Sequence, residues 1–167
     1  MYVIVDTNVL VVANGKTPQA SQQCVMNCSQ NLREIQQGKI LVLDDRWLII
    51  KEYLKNVSSS GQPGVGDAFL KWVLTNKGNL KHCQLVPITE VSENNFSEFP
   101  KDAELKDFDP SDRKFVAVAL AHLEKPPILN AVDSDWKNFE DRLAVYGIKV
   151  EFICPDSFSQ TKVQNSK

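Results

Sequence analysis

The chain of 167 residues has only two histidines and four cysteines, and none falls at the spacing of a zinc site. Cys24 and Cys28 stand one helical turn apart, while Cys83 and Cys154 stand alone. No CxxC pair occurs, and neither His82 nor His122 completes a ligand set. The cysteines therefore read as four reduced, mostly buried thiols. A surplus of positive charge is missing too: 19 Lys and Arg face 21 Asp and Glu, for a net charge of −2. No basic patch of the kind that drives tight non-specific nucleic-acid binding is indicated, so the charge balance permits a nucleic-acid substrate without arguing for one. The opening MYVIVDTNVLVVANG is apolar, but it lacks a basic leader and carries Asp6, so it reads as neither signal peptide nor membrane span. The expectation is a cytoplasmic protein with no membrane partner. Repeats and low-complexity segments are also lacking, which removes solenoid architectures from consideration.

What is present is a composition 43% hydrophobic and 24% charged, enough for one globular core. Short apolar runs predict strands over residues 2–5, 39–43, 84–88, 128–132 and 149–153. Helical spacing of apolar residues predicts helices over about 18–37, then 46–57, 69–76, a segment starting near Asp109, and 133–143. The stretch SSSGQPGVG (58–66) reads as a loop, and 90–107 as polar and irregular. Strands alternating with helices imply βαβ units, hence a mostly parallel sheet of four to five strands covered on both faces. Residues 1–155 form the predicted domain, and 156–167 a polar tail that frays.

In such sheets ligands bind beyond the carboxyl ends of the strands, which gives the acidic positions their meaning. Asp6 closes the first strand and Asp133 closes another, so parallel strands bring both to one edge. Asp112 begins a helix at the same edge, and Glu52 sits mid-helix with part of its surroundings apolar. Each has an ordinary structural explanation: Asp112 completing a helix start with Asp109, Asp133 or Ser134 capping the next helix, Glu52 pairing with a surface lysine. Asp6 is the exception, because a carboxylate inside an apolar run is costly to bury without a specific partner. Four carboxylates in one cleft would repel one another unless a cation offsets them. An all-carboxylate set favours Mg²⁺ or Mn²⁺, and the chemistry such an ion supports is metal-assisted phosphodiester hydrolysis.

The blocks VDTNVL (5–10), WLIIKEYLKN (47–56), DPSDRKFVAVALA (109–121) and ILNAVDSDWKNF (128–139), in this order and spacing, resemble the PIN-domain family. The resemblance implies a three-layer α/β/α sandwich, an acidic pocket for Mg²⁺ or Mn²⁺, and endonucleolytic hydrolysis of single-stranded RNA. By position, Asp6, Glu52, Asp112 and Asp133 match the family's four catalytic and metal-binding acids, with Asn8 supporting the first. Asp109, Ser134 and Asp135 stand close enough to assist. Ala131 stands where the family usually carries Ser or Thr, so Ser134 or a water would have to supply that hydrogen bond, and Asp135 competes with Asp133 for the fourth role. Toxin-type members bring with them an antitoxin-like protein inhibitor and a homodimer as partners.

Two other readings compete. A haloacid-dehalogenase-type phosphatase needs a second Asp two residues after the first, where this chain has Asn8. A PIN-like module that binds RNA or protein without cutting is favoured by Ala131 and disfavoured by the four filled acidic positions. Trp47, Trp72 and Trp136 read as core residues rather than base-stacking platforms.

Overall fold

The computed structural model describes residues 1–158, so the predicted fraying of the tail falls, from residue 159 on, outside the described residues. Five strands form one parallel sheet: β1 (Tyr2–Val5), β2 (Ile40–Asp44), β3 (Cys83–Val86), β6 (Ile128–Asn130) and β7 (Val150–Phe152). Their spatial order is β3-β2-β1-β6-β7. The remaining strands, β4 (Glu90–Ser92) and β5 (Asn95–Phe96), make a small antiparallel hairpin inside the region read as irregular. The helices are α1 (Thr7–Ala13), α2 (Gln22–Gly38), α3 (Leu48–Asn56), α4 (Val65–Asn76), α5 (Arg113–Ala121) and α6 (Ser134–Ala144).

The chain starts at the central strand and works outward twice, first through β2 to β3 and later through β6 to β7. Right-handed crossovers in opposite directions place the helices of the two halves on opposite faces. Accordingly α1, α2 and α4 pack on one another, while α5 lies against β1, β2 and β6. The result is the expected three-layer α/β/α sandwich. Val3, Ile4 and Val5 of β1 and Leu41, Val42 and Leu43 of β2 are fully or almost fully buried, as unbroken apolar runs in a doubly covered sheet should be.

The boundaries differ from expectation for local reasons. Helix α1 was hidden because NVLVVA is rich in β-branched residues; burial of Val9, Leu10, Val12 and Ala13 overrides that propensity. Helix α4 begins four residues before Phe69, because Asp67 accepts the backbone N–H of Gly64 at 2.9 Å and of Ser58 at 2.7 Å. At Gly66 a Cβ would come within 2.1 Å of the Leu10 carbonyl oxygen, so the close crossing of α1 and α4 requires glycine there. Helix α3 begins at Leu48 rather than Arg46. Trp47 takes a left-handed conformation with φ 65°, and the buried Asp44 accepts the N–H groups of Arg46, Leu48 and Ile49.

The cysteine expectation is corrected. Cys24 and Cys154 form a disulfide, their Cα atoms 5.4 Å apart, joining the first turn of α2 to the segment after β7. The sequence hides this pairing because the partners lie 130 positions apart. Cys28 and Cys83 are buried free thiols, as expected. Among the described residues no helix is long and apolar enough to cross a membrane.

Candidate functional site

The strand order reverses direction between β1 and β6, and a crevice at such a switch point opens where the crossovers diverge. Asp6 follows the last residue of β1 and Asp133 lies three residues past β6. Helix α5 delivers Asp112 to the same place through a short 3₁₀ turn, Pro110–Asp112. One potential ligand oxygen from each of Asp6, Asp112 and Asp133 lies within 4.8 Å of the others. They line a cleft of about 280 Å³ together with Thr7, Asn8, Glu52, Asp109 and Ser111.

Each carboxylate is held differently. One oxygen of Asp6 (Oδ2) accepts the indole N–H of Trp136 at 2.8 Å and the amide of Asn130 at 3.0 Å. Asn130 also accepts the backbone N–H of Asp133 at 3.3 Å, so one buried amide couples two of the three aspartates. Asp133 caps α6 by accepting the N–H of Asp135 at 2.9 Å. Asp112 occupies the N-cap position of α5 but makes no side-chain capping bond. Its Oδ2 is buried without any hydrogen-bond partner. The capping is done instead by Asp109, whose Oδ1 accepts from the Ser111 backbone N–H and hydroxyl at 2.9 and 2.8 Å. A buried carboxyl oxygen without a partner is costly, and helix capping does not account for it.

The electrostatics follow from this crowding. Burial, then the charges of Glu52 and Asp133, push the Asp6 carboxyl well above the ordinary carboxylate range. Burial, then Asp6 and Asp133, raise Asp112 further still. Burial is also the largest cause of the raised Asp133. Donors to Asp6 act in the opposite direction without cancelling the rise.

Glu52 lines the same cleft from α3, outside the mutual 4.8 Å group. Its Oε1 accepts from Lys114 Nζ at 2.8 Å and its Oε2 accepts from the Thr7 hydroxyl. The Oδ1 of Asn8 accepts the Ala131 N–H at 3.1 Å, so it ties the first turn of α1 to the segment that follows β6. Asp135 accepts the Asp109 N–H at 2.9 Å and stands outside both the aspartate group and the cleft lining. Between the two candidates for the fourth acidic position, it is Asp133 that stands with Asp6 and Asp112. Ser134 is exposed and outside the cleft lining; the hydroxyls at the cleft are those of Thr7, Thr17 and Ser111. Searches against protein-family models, curated proteins and solved structures return no match.

Four contributors escaped the sequence reading. Asn130 is a buried polar residue inside an apolar strand, the signal that singled out Asp6, and it was open to the same argument. Lys114 carried a weaker signal, a lysine directly before the apolar run FVAVALA of its helix. Trp136 is the core residue it was expected to be, yet its N–H is spent on Asp6. Thr7 had no signal beyond its adjacency to Asp6.

Proposed function

We propose that this chain is a divalent-metal-dependent ribonuclease of PIN type, cutting single-stranded RNA. The observation that carries the reading is the group of three aspartates at the strand-order reversal, with Asp112 Oδ2 buried and lacking a hydrogen-bond partner. An all-oxygen, all-anionic set of this kind fits a hard cation, and Asp6, Asp112 and Asp133 would hold Mg²⁺ or Mn²⁺. When bound, the ion would offset charge on the scissile phosphate and lower the pKa of water in the cleft.

The protein's own groups set the geometry. Trp136 and Asn130 fix one oxygen of Asp6 and leave the other for the cation. Asn130 and the first turn of α6 orient Asp133. Glu52, held by Thr7 and Lys114 on the cleft wall, orients a water against the phosphorus. Single-stranded RNA as the substrate is supported by the resemblance of the four sequence blocks, and a cytoplasmic setting belongs to the same reading. There the Cys24–Cys154 bond would face thiol reductants, and a free-thiol count on freshly isolated protein tests that placement.

A phosphatase reading loses support at Asn8, which acts as a strut to Ala131 in the place where an acid would be needed. The deciding experiment is cleavage of a panel of single-stranded and structured RNAs with Mn²⁺, with EDTA, and with the Asp6→Asn protein. Cleavage of single strands that needs Mn²⁺ and vanishes in Asp6→Asn is expected; cleavage that persists in EDTA or in the variant would refute the proposal.

A further inference from the structure

Lys114 is a buried cation two residues from Asp112, and nothing in the reaction outlined above uses it directly. Its ammonium is anchored at both ends of a short path, to Glu52 Oε1 at 2.8 Å and to the carbonyl oxygen of Ser111. Ser111 directly precedes Asp112, so the lysine is tied to the turn that carries a candidate ligand. The second oxygen of Glu52 is taken by the hydroxyl of Thr7, the residue after Asp6. The neighbours of two ligands therefore grip the fourth acid by both its oxygens.

We propose that Lys114 is a positioning residue that keeps Glu52 out of the inner coordination shell, so that the ion is held by three aspartates alone. This rests on the metal-centre reading above and narrows it. Three carboxylates leave a divalent cation with one excess negative charge, while Glu52 and Lys114 neutralise each other. Moving Glu52 onto the ion would leave the buried Lys114 ammonium with the Ser111 carbonyl oxygen and no carboxylate bonded to it among the described residues. Separating a buried pair in this way is strongly unfavourable. With the lysine charge removed, that penalty disappears, and Glu52 is held by Thr7 alone.

The test reads the number of waters bound to Mn²⁺, from the broadening of its electron paramagnetic resonance lines in ¹⁷O-labelled water. It uses the full chain, Glu52→Gln, Lys114→Met and the double variant, with no RNA present. Methionine keeps most of the lysine stem. The expected result is equal water numbers for the wild type and Glu52→Gln, one water fewer in Lys114→Met, and the wild-type number restored in the double variant. One extra water in Glu52→Gln would show that Glu52 is already a ligand and overturn the inference while leaving the metal centre intact. An unchanged number in folded Lys114→Met would overturn it equally. Should Lys114→Met fail to fold, the comparison of wild type with Glu52→Gln still decides the central claim. Failure of the wild type to bind Mn²⁺ at all would overturn both this inference and the ribonuclease reading.

Discussion

Replacing Asp112 by Asn should stabilise the metal-free protein at neutral to alkaline pH. Asp112 faces Asp6 and Asp133 within 4.8 Å. Two unit charges at that separation repel by about 3.5 kcal/mol at an effective dielectric of 20. Protonation offers an escape, but holding a proton at pH 8 on a group that ordinarily titrates near 4 costs about 5 kcal/mol. Because the cluster shares protons and admits water, roughly 3 kcal/mol is a working figure for the relief in Asp112→Asn. For a domain of this size that corresponds to a rise in Tm of about 6–12 °C. The pH dependence has a definite sign. Asp6, Asp112 and Asp133 all have raised pKa values in the folded protein. Their contribution to stability is therefore intact below the ordinary carboxylate range and lost as pH rises through the raised values. Thermal unfolding by circular dichroism in EDTA should show most of the gain at pH 8 and almost none at pH 4.5. Saturating Mn²⁺ should reverse the order at pH 8, stabilising the wild type far more than the variant. A variant that is neutral or destabilised in EDTA at pH 8, or whose gain is the same at both pH values, would refute the electrostatic account of the cluster.

Trp136→Phe keeps a ring against Phe108 but removes the donor to Asp6 Oδ2; Mn²⁺ affinity should fall about tenfold, measured by titration calorimetry. Asp44→Ala deprives three backbone N–H groups of their buried acceptor, and urea unfolding should show a loss of about 2–4 kcal/mol. A loss under ~1 kcal/mol would mean that water replaces the carboxylate there. Reducing the Cys24–Cys154 bond should lower Tm by about 5–10 °C, given the long loop it closes; a Cys24→Ala/Cys154→Ala protein should then be insensitive to reductant.

The inner strands of the sheet were legible because they are apolar on both faces, so YVIV, ILVL and ILN announce themselves without tertiary knowledge. Helix α1 was not, since its β-branched residues favour extended backbone and only the sandwich forces them to coil. The convergence of Asp6, Asp112 and Asp133 followed from topology: parallel strands carry their ends to one edge. What topology does not convey is how each oxygen is occupied. Whether Asp112 capped its helix or left its Oδ2 without a partner depended on the rotation of one 3₁₀ turn, and the pairing of Glu52 depended on a lysine 62 residues away. Such facts are settled by side-chain packing between distant segments, which periodicity does not encode. The same holds for the cysteines, whose pairing needed β7 to end beside α2.

The covalent ring closed by Cys24 and Cys154 contains Glu52, Asp112 and Asp133, whereas Asp6 lies on the amino-terminal arm before it. That arm supplies the middle strand of the sheet, bracketed by β2 and β6, both of which belong to the ring. A cation shared by the three aspartates would thus act as a rivet between the arm and the loop that encircles most of the chain. Severing the backbone between residues 6 and 24 would leave that rivet, together with sheet pairing and packing, to keep the central strand in place.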